Sequence, residues 1–144
     1  MEINNKQVGG THYAAEGLQH WDYMILMEVP YLLAAATKYL IRAKDYPLQD
    51  VNKSEHYWEK WLKDGSHLDV GDFRELLFED MCVKYNVSPV TRTLLQRILN
   101  PSFQGRDRTV QVEEYFNKRR TEIALIMRSA QEEGDATARY TNQD

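Results

Sequence analysis

All four prolines of the chain fall at the edges of runs with helical apolar spacing, and the alternation of strand and helix patterns that an α/β fold requires is missing. The sequence therefore reads as a set of helices cut to length by proline. Pro30 interrupts the apolar run Gln19 to Val29 and is placed to open the next helix as its first residue. From Pro30 to Lys44, residues Leu32, Leu33, Ala36, Leu40 and Ala43 recur at helical spacing, and the alanine run from Ala34 admits a close neighbour. Asp45, Tyr46 and Pro47 break that helix. Asp50 is the expected N-cap of the next one, Val51 to Asp64, whose apolar side is Tyr57, Trp58, Trp61 and Leu62. Gly65 and Ser66 end the unit.

The second half restarts at Asp69 or Asp72, either a possible cap for a helix through Leu76, Leu77, Met81 and Cys82 to Tyr85, stopped near Asn86. Ser88 and Pro89 read as N-cap and first-turn proline of Val90 to Leu99. Asn100 and Pro101 lead into Gln104 to Arg108, the most loop-like stretch. A longer helix is expected from about Val110 to Glu132. Its seam of Val112, Phe116, Ile123, Ile126, Met127 and Ala130 suits either intramolecular packing or a dimer contact. The expected fold is all-α: a short ordered N-terminal loop and compact bundle over residues 1–66, a C-terminal helical extension over 67–133, and a flexible tail over 134–144.

An apolar content of 42% is enough for a core, and a net charge of −4 argues against duplex DNA or an anionic membrane as the main partner. Cys82 is the single cysteine and no zinc or disulfide spacing is present, which fits a reducing compartment. No apolar run approaches the length of a membrane span and no leader pattern is seen, so a soluble, unprocessed protein is expected.

Polar chemistry concentrates near the N-terminus. In Val8, Gly9, Gly10, Thr11, His12 and Tyr13, paired glycines that permit close backbone approach precede a hydroxyl, an imidazole and a phenol. Lys38 and Arg42 lie one turn apart on one helix face, a spacing that suits a phosphate; a solvated basic stripe is the alternative. Lys53 and the Gly9–Gly10 backbone N–H groups can converge on the same anion. Tyr13, Trp21, Tyr39 and Tyr57 are candidates for stacking on a base, against a plain core role for Trp21. Asp22 can hold a sugar hydroxyl or a metal, pair with Lys38, or cap a helix. His12 is a candidate phosphate contact or general acid–base group, or a structural donor. His20, His56 and His67 have no metal-ligand spacing. No P-loop, no G-x-G-x-x-G after a strand and no G-x-S-x-G element is present.

The order of Val8, Gly9, Gly10, His12 and Tyr13, then Gln19, Trp21 and Asp22, then Lys38, Tyr39 and Arg42, then an aspartate-led helix with Asp50, Lys53 and Tyr57, resembles the small phage-encoded SaV-like proteins. The resemblance covers about residues 7 to 64. Most of that family has no defined function. One branch is a phage nucleotide kinase that phosphorylates deoxynucleoside monophosphates from a nucleoside triphosphate without the usual kinase motifs, and another member is linked to abortive-infection defence. The resemblance thus implies a host-cytoplasmic phage protein and a nucleoside triphosphate donor, while no motif requires Mg²⁺. In that reading His12, Lys38 and Arg42 are the catalytic candidates, and Gly9, Gly10, Thr11, Tyr13, Trp21, Asp22, Tyr39 and Lys53 bind substrate. The chain departs from the family at His20, where a proline is common, and at Ala43 to Pro47, where the family carries lysines and glycine.

Two other readings compete with the kinase. One is a protein that sequesters a nucleotide or a nucleotide-derived immune signal without turnover. The other is a phage protein that binds a host factor through its C-terminal helices. Arg106, Arg108, Lys118, Arg119 and Arg120 form two basic clusters there, although nucleic acid is not the expected partner. A homo-oligomer is expected, because a short bundle with a broad aromatic face leaves apolar surface to cover.

Overall fold

The computed structural model describes residues 17–42 and 45–141, with side chains to residue 137. The described residues form six α-helices and no strand: α1 His20–Leu26, α2 Tyr31–Ile41, α3 Pro47–Lys60, α4 Glu75–Lys84, α5 Pro89–Leu99 and α6 Gly105–Thr141. The all-α expectation holds.

Proline sets the boundaries, in two cases one step away from the expected register. Pro30 is the N-cap of α2 rather than its first helical residue, its φ of −61° and ψ of 153° being extended. Pro47, read as a breaker, is itself the first residue of α3. Asp50 consequently lies inside the first turn of α3 and not at its cap, where it is buried. Pro89 occupies the first turn of α5, and Ser88 caps it as expected, its Oγ accepting from the Thr91 N–H at 3.2 Å.

Neither Asp69 nor Asp72 caps α4; the N-cap is Arg74. Asp72 pairs instead with Arg74 at 3.2 Å. The α4 helix ends at Tyr85 and Asn86, and Asn86 takes φ +49°, the left-handed conformation that asparagine tolerates better than most residues. Gly71 is required by close approach: its N–H donates to the Glu28 carbonyl at 3.0 Å, and a Cβ there would lie 3.1 Å from the Glu28 Cβ. This contact ties the α1–α2 bend to the segment before α4.

One hydrophobic cluster runs through the bundle. Leu33 of α2, Trp58 of α3, Phe78 and Met81 of α4, Leu94 and Ile98 of α5, and Val112 and Phe116 of α6 are all fully buried in it. The α2 helix packs on α3 and α5, and α6 lies across α3 and α5. The alanine run explains the tightest approach, since Ala36 has no exposure and the Ser54 Oγ of α3 reaches its carbonyl at 2.7 Å.

The largest departure from the sequence reading is at Gln104 to Arg108. This stretch is the start of α6, and Arg108 is 4% exposed. Its Nη1 and Nη2 donate to Asp69 at 2.7 and 3.2 Å, its Nε to the Arg97 carbonyl at 2.9 Å, and Nη2 also to the Ile98 carbonyl at 2.5 Å. The guanidinium carbon lies 4.9 Å from the centre of the Trp61 ring and 5.7 Å from that of Trp58. Arg108 therefore belongs to the interior and not to a basic surface cluster. Arg120 is likewise committed, to Glu55 at 2.6 Å and Asn52 at 3.1 Å, which joins α6 to α3.

The α6 helix also runs further than expected, past Glu132 and the segment read as a tail, to Thr141. Val112, Phe116 and Ile123 of its seam are intramolecular core, whereas Ile126 and Met127 are more than half exposed and every side chain from Ala124 to Thr137 faces solvent. Cys82 is buried, which pushes its thiol up to about 11.

Asp69→Ala is expected to lower unfolding free energy by about 2 kcal/mol, because a buried guanidinium loses its charged partner. A shift in the urea midpoint corresponding to less than about 0.5 kcal/mol would show that Arg108 is not held this way.

Candidate functional site

The α2 helix has two faces. Leu33, Ala36, Thr37, Leu40 and Ile41 are buried, and Ala34, Ala35, Lys38 and Tyr39 line a groove against α1. The groove has a volume of about 430 Å³ and is walled by Trp21 and Ile25 of α1, Tyr31 and Tyr39 of α2, and Tyr57 of α3. Small side chains at Ala34 and Ala35 leave its floor open. The Trp21 ring is half exposed rather than packed in the core. Tyr39 and Tyr57 stack with ring centres 5.8 Å apart and planes 9° from parallel. Cations flank Tyr39: the Arg42 guanidinium carbon is 5.3 Å and the Lys53 Nζ 5.4 Å from its ring centre.

A second space, of about 440 Å³, adjoins the first and shares His20 and Lys38 with it. Among the described residues its charged side chains are Lys38, Arg42 and Lys84, with no carboxylate in its wall. Lys84 comes from the last turn of α4, where it also donates to the Leu18 carbonyl. Among the described residues the carboxylate paired with Arg42 is the buried Asp50, whose Oδ2 is 3.9 Å from Nε, too far for a hydrogen bond. Aromatic groove and cationic cleft thus adjoin, with His20 and Lys38 lining both.

His20 is the imidazole at that junction. Burial, with a further contribution from Lys38, lowers its pKa to about 4, so it is neutral at pH 7. The Thr37 hydroxyl has one proton and donates it to the Ala34 carbonyl at 2.9 Å. The same hydroxyl oxygen is 2.8 Å from His20 Nε2, a hydrogen bond whose direction follows the ring tautomer.

Of the residues singled out from sequence, Trp21, Lys38 and Tyr39 come together in the groove, Arg42 stands in the adjoining cleft, and Lys53 lies over Tyr39. Asp22 does not join them. It is 1% exposed and its Oδ2 accepts from the Gln19 N–H at 2.9 Å, so it serves the start of α1. Gly9, Gly10, Thr11, His12 and Tyr13 lie outside the described residues. Sequence reasoning passed over Tyr31 and Lys84 and gave little weight to His20. No local signal ties Lys84 to Lys38, since they meet only through packing of the two halves. Among the described residues no group of three His, Cys, Asp or Glu side chains is arranged to hold a metal ion, and no helix is long and apolar enough to cross a membrane. Searches of family models, curated proteins and solved structures gave no match to this chain.

A depressed histidine pKa makes stability depend on pH in a fixed direction. The folded state binds the His20 proton only near pH 4 and the unfolded chain near 6.5, so the contribution is complete above 6.5 and is lost as pH falls toward 4. This group is expected to remove up to about 3 kcal/mol across that window. His20→Gln should flatten that part of the pH–stability curve; an unchanged slope would mean that the imidazole is not buried as a neutral ring.

Proposed function

We propose that the two adjoining spaces bind one nucleotide, its base in the groove of Trp21, Tyr39 and Tyr57 and its phosphate in the cleft of Lys38, Arg42 and Lys84. The observation that carries this reading is the junction itself. An apolar, aromatic groove of ligand size adjoins a space whose charged side chains, among the described residues, are all cationic, and Lys38 lines both. Lysine supplies a point charge and arginine a planar fork, the two modes in which proteins hold phosphate oxygens.

The activity we favour is phosphoryl transfer to a deoxynucleoside monophosphate, which is what the resemblance to the SaV-like phage proteins implies. Such a transfer asks the protein mainly to place two nucleotides in line and to neutralise charge on the moving group, and Lys38, Arg42 and Lys53 are the cations near the groove suited to that task. His20 is not the proton acceptor in this scheme, because a pKa lowered to about 4 makes it a weak base. The phage origin and the host cytoplasm as site of action belong to the same proposal.

The test incubates the full chain with deoxynucleoside monophosphates and nucleoside triphosphates and resolves free and heat-released nucleotides by anion exchange. Diphosphate formed by the native chain and lost in Lys38→Ala supports transfer, whereas unaltered nucleotide released only by heating supports retention without transfer. Trp21→Ala is expected to weaken binding by roughly tenfold, the worth of one base–aromatic stack, without loss of helical circular dichroism. Absence of both binding and product would remove the nucleotide reading.

A further inference from the structure

Beyond Arg42 the cationic cleft meets a third, smaller space of about 190 Å³ between the end of α2, the α4–α5 turn and α6. Arg42 and Asn86 border both spaces, and Ser88, Thr91 and Arg119 complete the polar wall of the small one. Its volume is below the roughly 300 Å³ at which pockets for whole small molecules begin, yet it equals the liquid share of about six waters. It has room for one tetrahedral oxyanion and none for a base with its sugar.

Two guanidinium groups from different helices line this space, and among the described residues each keeps N–H donors with no hydrogen-bond partner. Arg119 uses one of its five N–H donors, Nη1, on Glu122 Oε2 at 2.6 Å. Arg42 makes no hydrogen bond among the described residues, and its contact with Asp50 stays at 3.9 Å while the Asp50 Oδ2, itself buried, has no hydrogen-bond partner. Like charges facing one confined space repel unless an anion sits between them. The chain already sets one carboxylate against Arg119. Glu122 Oε2, held by Arg119, also lies 2.8 Å from the Ser88 Oγ. The single Ser88 proton goes to that carboxylate, so the Thr91 hydroxyl, 3.1 Å away, donates back to Ser88.

We propose that this cavity is an oxyanion subsite for a phosphoryl group, held by the Arg42 and Arg119 guanidinium forks, with Glu122 as the internal carboxylate that competes for Arg119. Bidentate arginine recognition of phosphate is the chemistry involved. The phosphoryl group has two possible sources. It is either the next unit of a phosphate chain whose first unit lies on Lys38 and Lys84, or free phosphate. The subsite is built by residues 85 to 119 together with the end of α2, and it does not depend on what occupies the aromatic groove.

The test uses inorganic probes alone. Orthophosphate, pyrophosphate and tripolyphosphate are titrated calorimetrically into the native full chain and into Arg119→Ala, Glu122→Gln and Trp21→Ala. The subsite predicts that Arg119→Ala weakens the tightest probe by about tenfold or more, the loss of a charge-assisted contact. Glu122→Gln removes the competing charge without changing shape and should tighten it by roughly threefold or more, an effect that a folding defect cannot produce. Trp21→Ala should leave all three affinities unchanged, which separates this site from the nucleotide groove. Affinity rising from orthophosphate to tripolyphosphate assigns the site to a phosphate chain, and equal affinities assign it to free phosphate. Affinities indifferent to both Arg119→Ala and Glu122→Gln would overturn the subsite, whatever the outcome for nucleotides.

Discussion

The buried Arg108 guanidinium is the contact on which the arrangement of the helices depends. It joins the Asp69 carboxylate to the last carbonyls of α5 and lies against Trp58 and Trp61, so one side chain at the start of α6 engages the end of α3, the segment before α4 and the end of α5. An arginine suits this place because its charge is diffuse enough to lie on indole faces while its fork matches a carboxylate and carbonyls at once. The α3 helix ends there in a π-helical turn, Trp61–Gly65, that presents the Trp61 Nε1 to the Leu68 carbonyl at 2.7 Å. With those three chain segments held, α5 is brought against α2 and α4 against α1, and the position of the cationic cleft follows.

The α2 helix links this scaffold to the candidate site. Its buried face contributes Leu33, Ala36 and Leu40 to the core, and its other face carries Lys38 and Tyr39 into the groove. Burial of one face holds the other still, which is what a ligand site needs if its polar groups are to meet a ligand without first being ordered. The cations of the site show the corresponding economy of partners. Arg108 and Arg120 are tied to carboxylates by hydrogen bonds, whereas Arg42 stands 3.9 Å from the Asp50 carboxylate and stacks on Tyr39. Arg42 thus differs from Arg108 and Arg120 in its hydrogen-bond geometry.

That distinction explains where sequence reasoning misjudged residues. Arg106 and Arg108 look like a basic pair in a polar, glycine-containing stretch, and nothing local reveals that Arg108 meets Asp69, which is thirty-nine positions away. For Asp22 the sequence left a ligand role, a pair with Lys38 and a helix cap open, and its reach back to the Gln19 N–H selects the cap. Asp50 is not at the cap because Pro47 begins α3 four residues before the expected start at Val51.

The sequence by itself determined the helical class, the breaks at each proline, the Ser88 cap and the close approach at the alanine run, because these rest on backbone geometry and spacing within one or two turns. It also placed Lys38, Tyr39 and Arg42 on neighbouring positions of one helix. Only the tertiary structure decided that Trp21 is half exposed in a groove wall, that Lys84 joins Lys38 across the molecule, and that Arg119 and Arg42 border one cavity. The reason is physical: a pocket is the space left between elements, and its charges come from residues far apart in the chain whose meeting is set by core packing, which has no local signature.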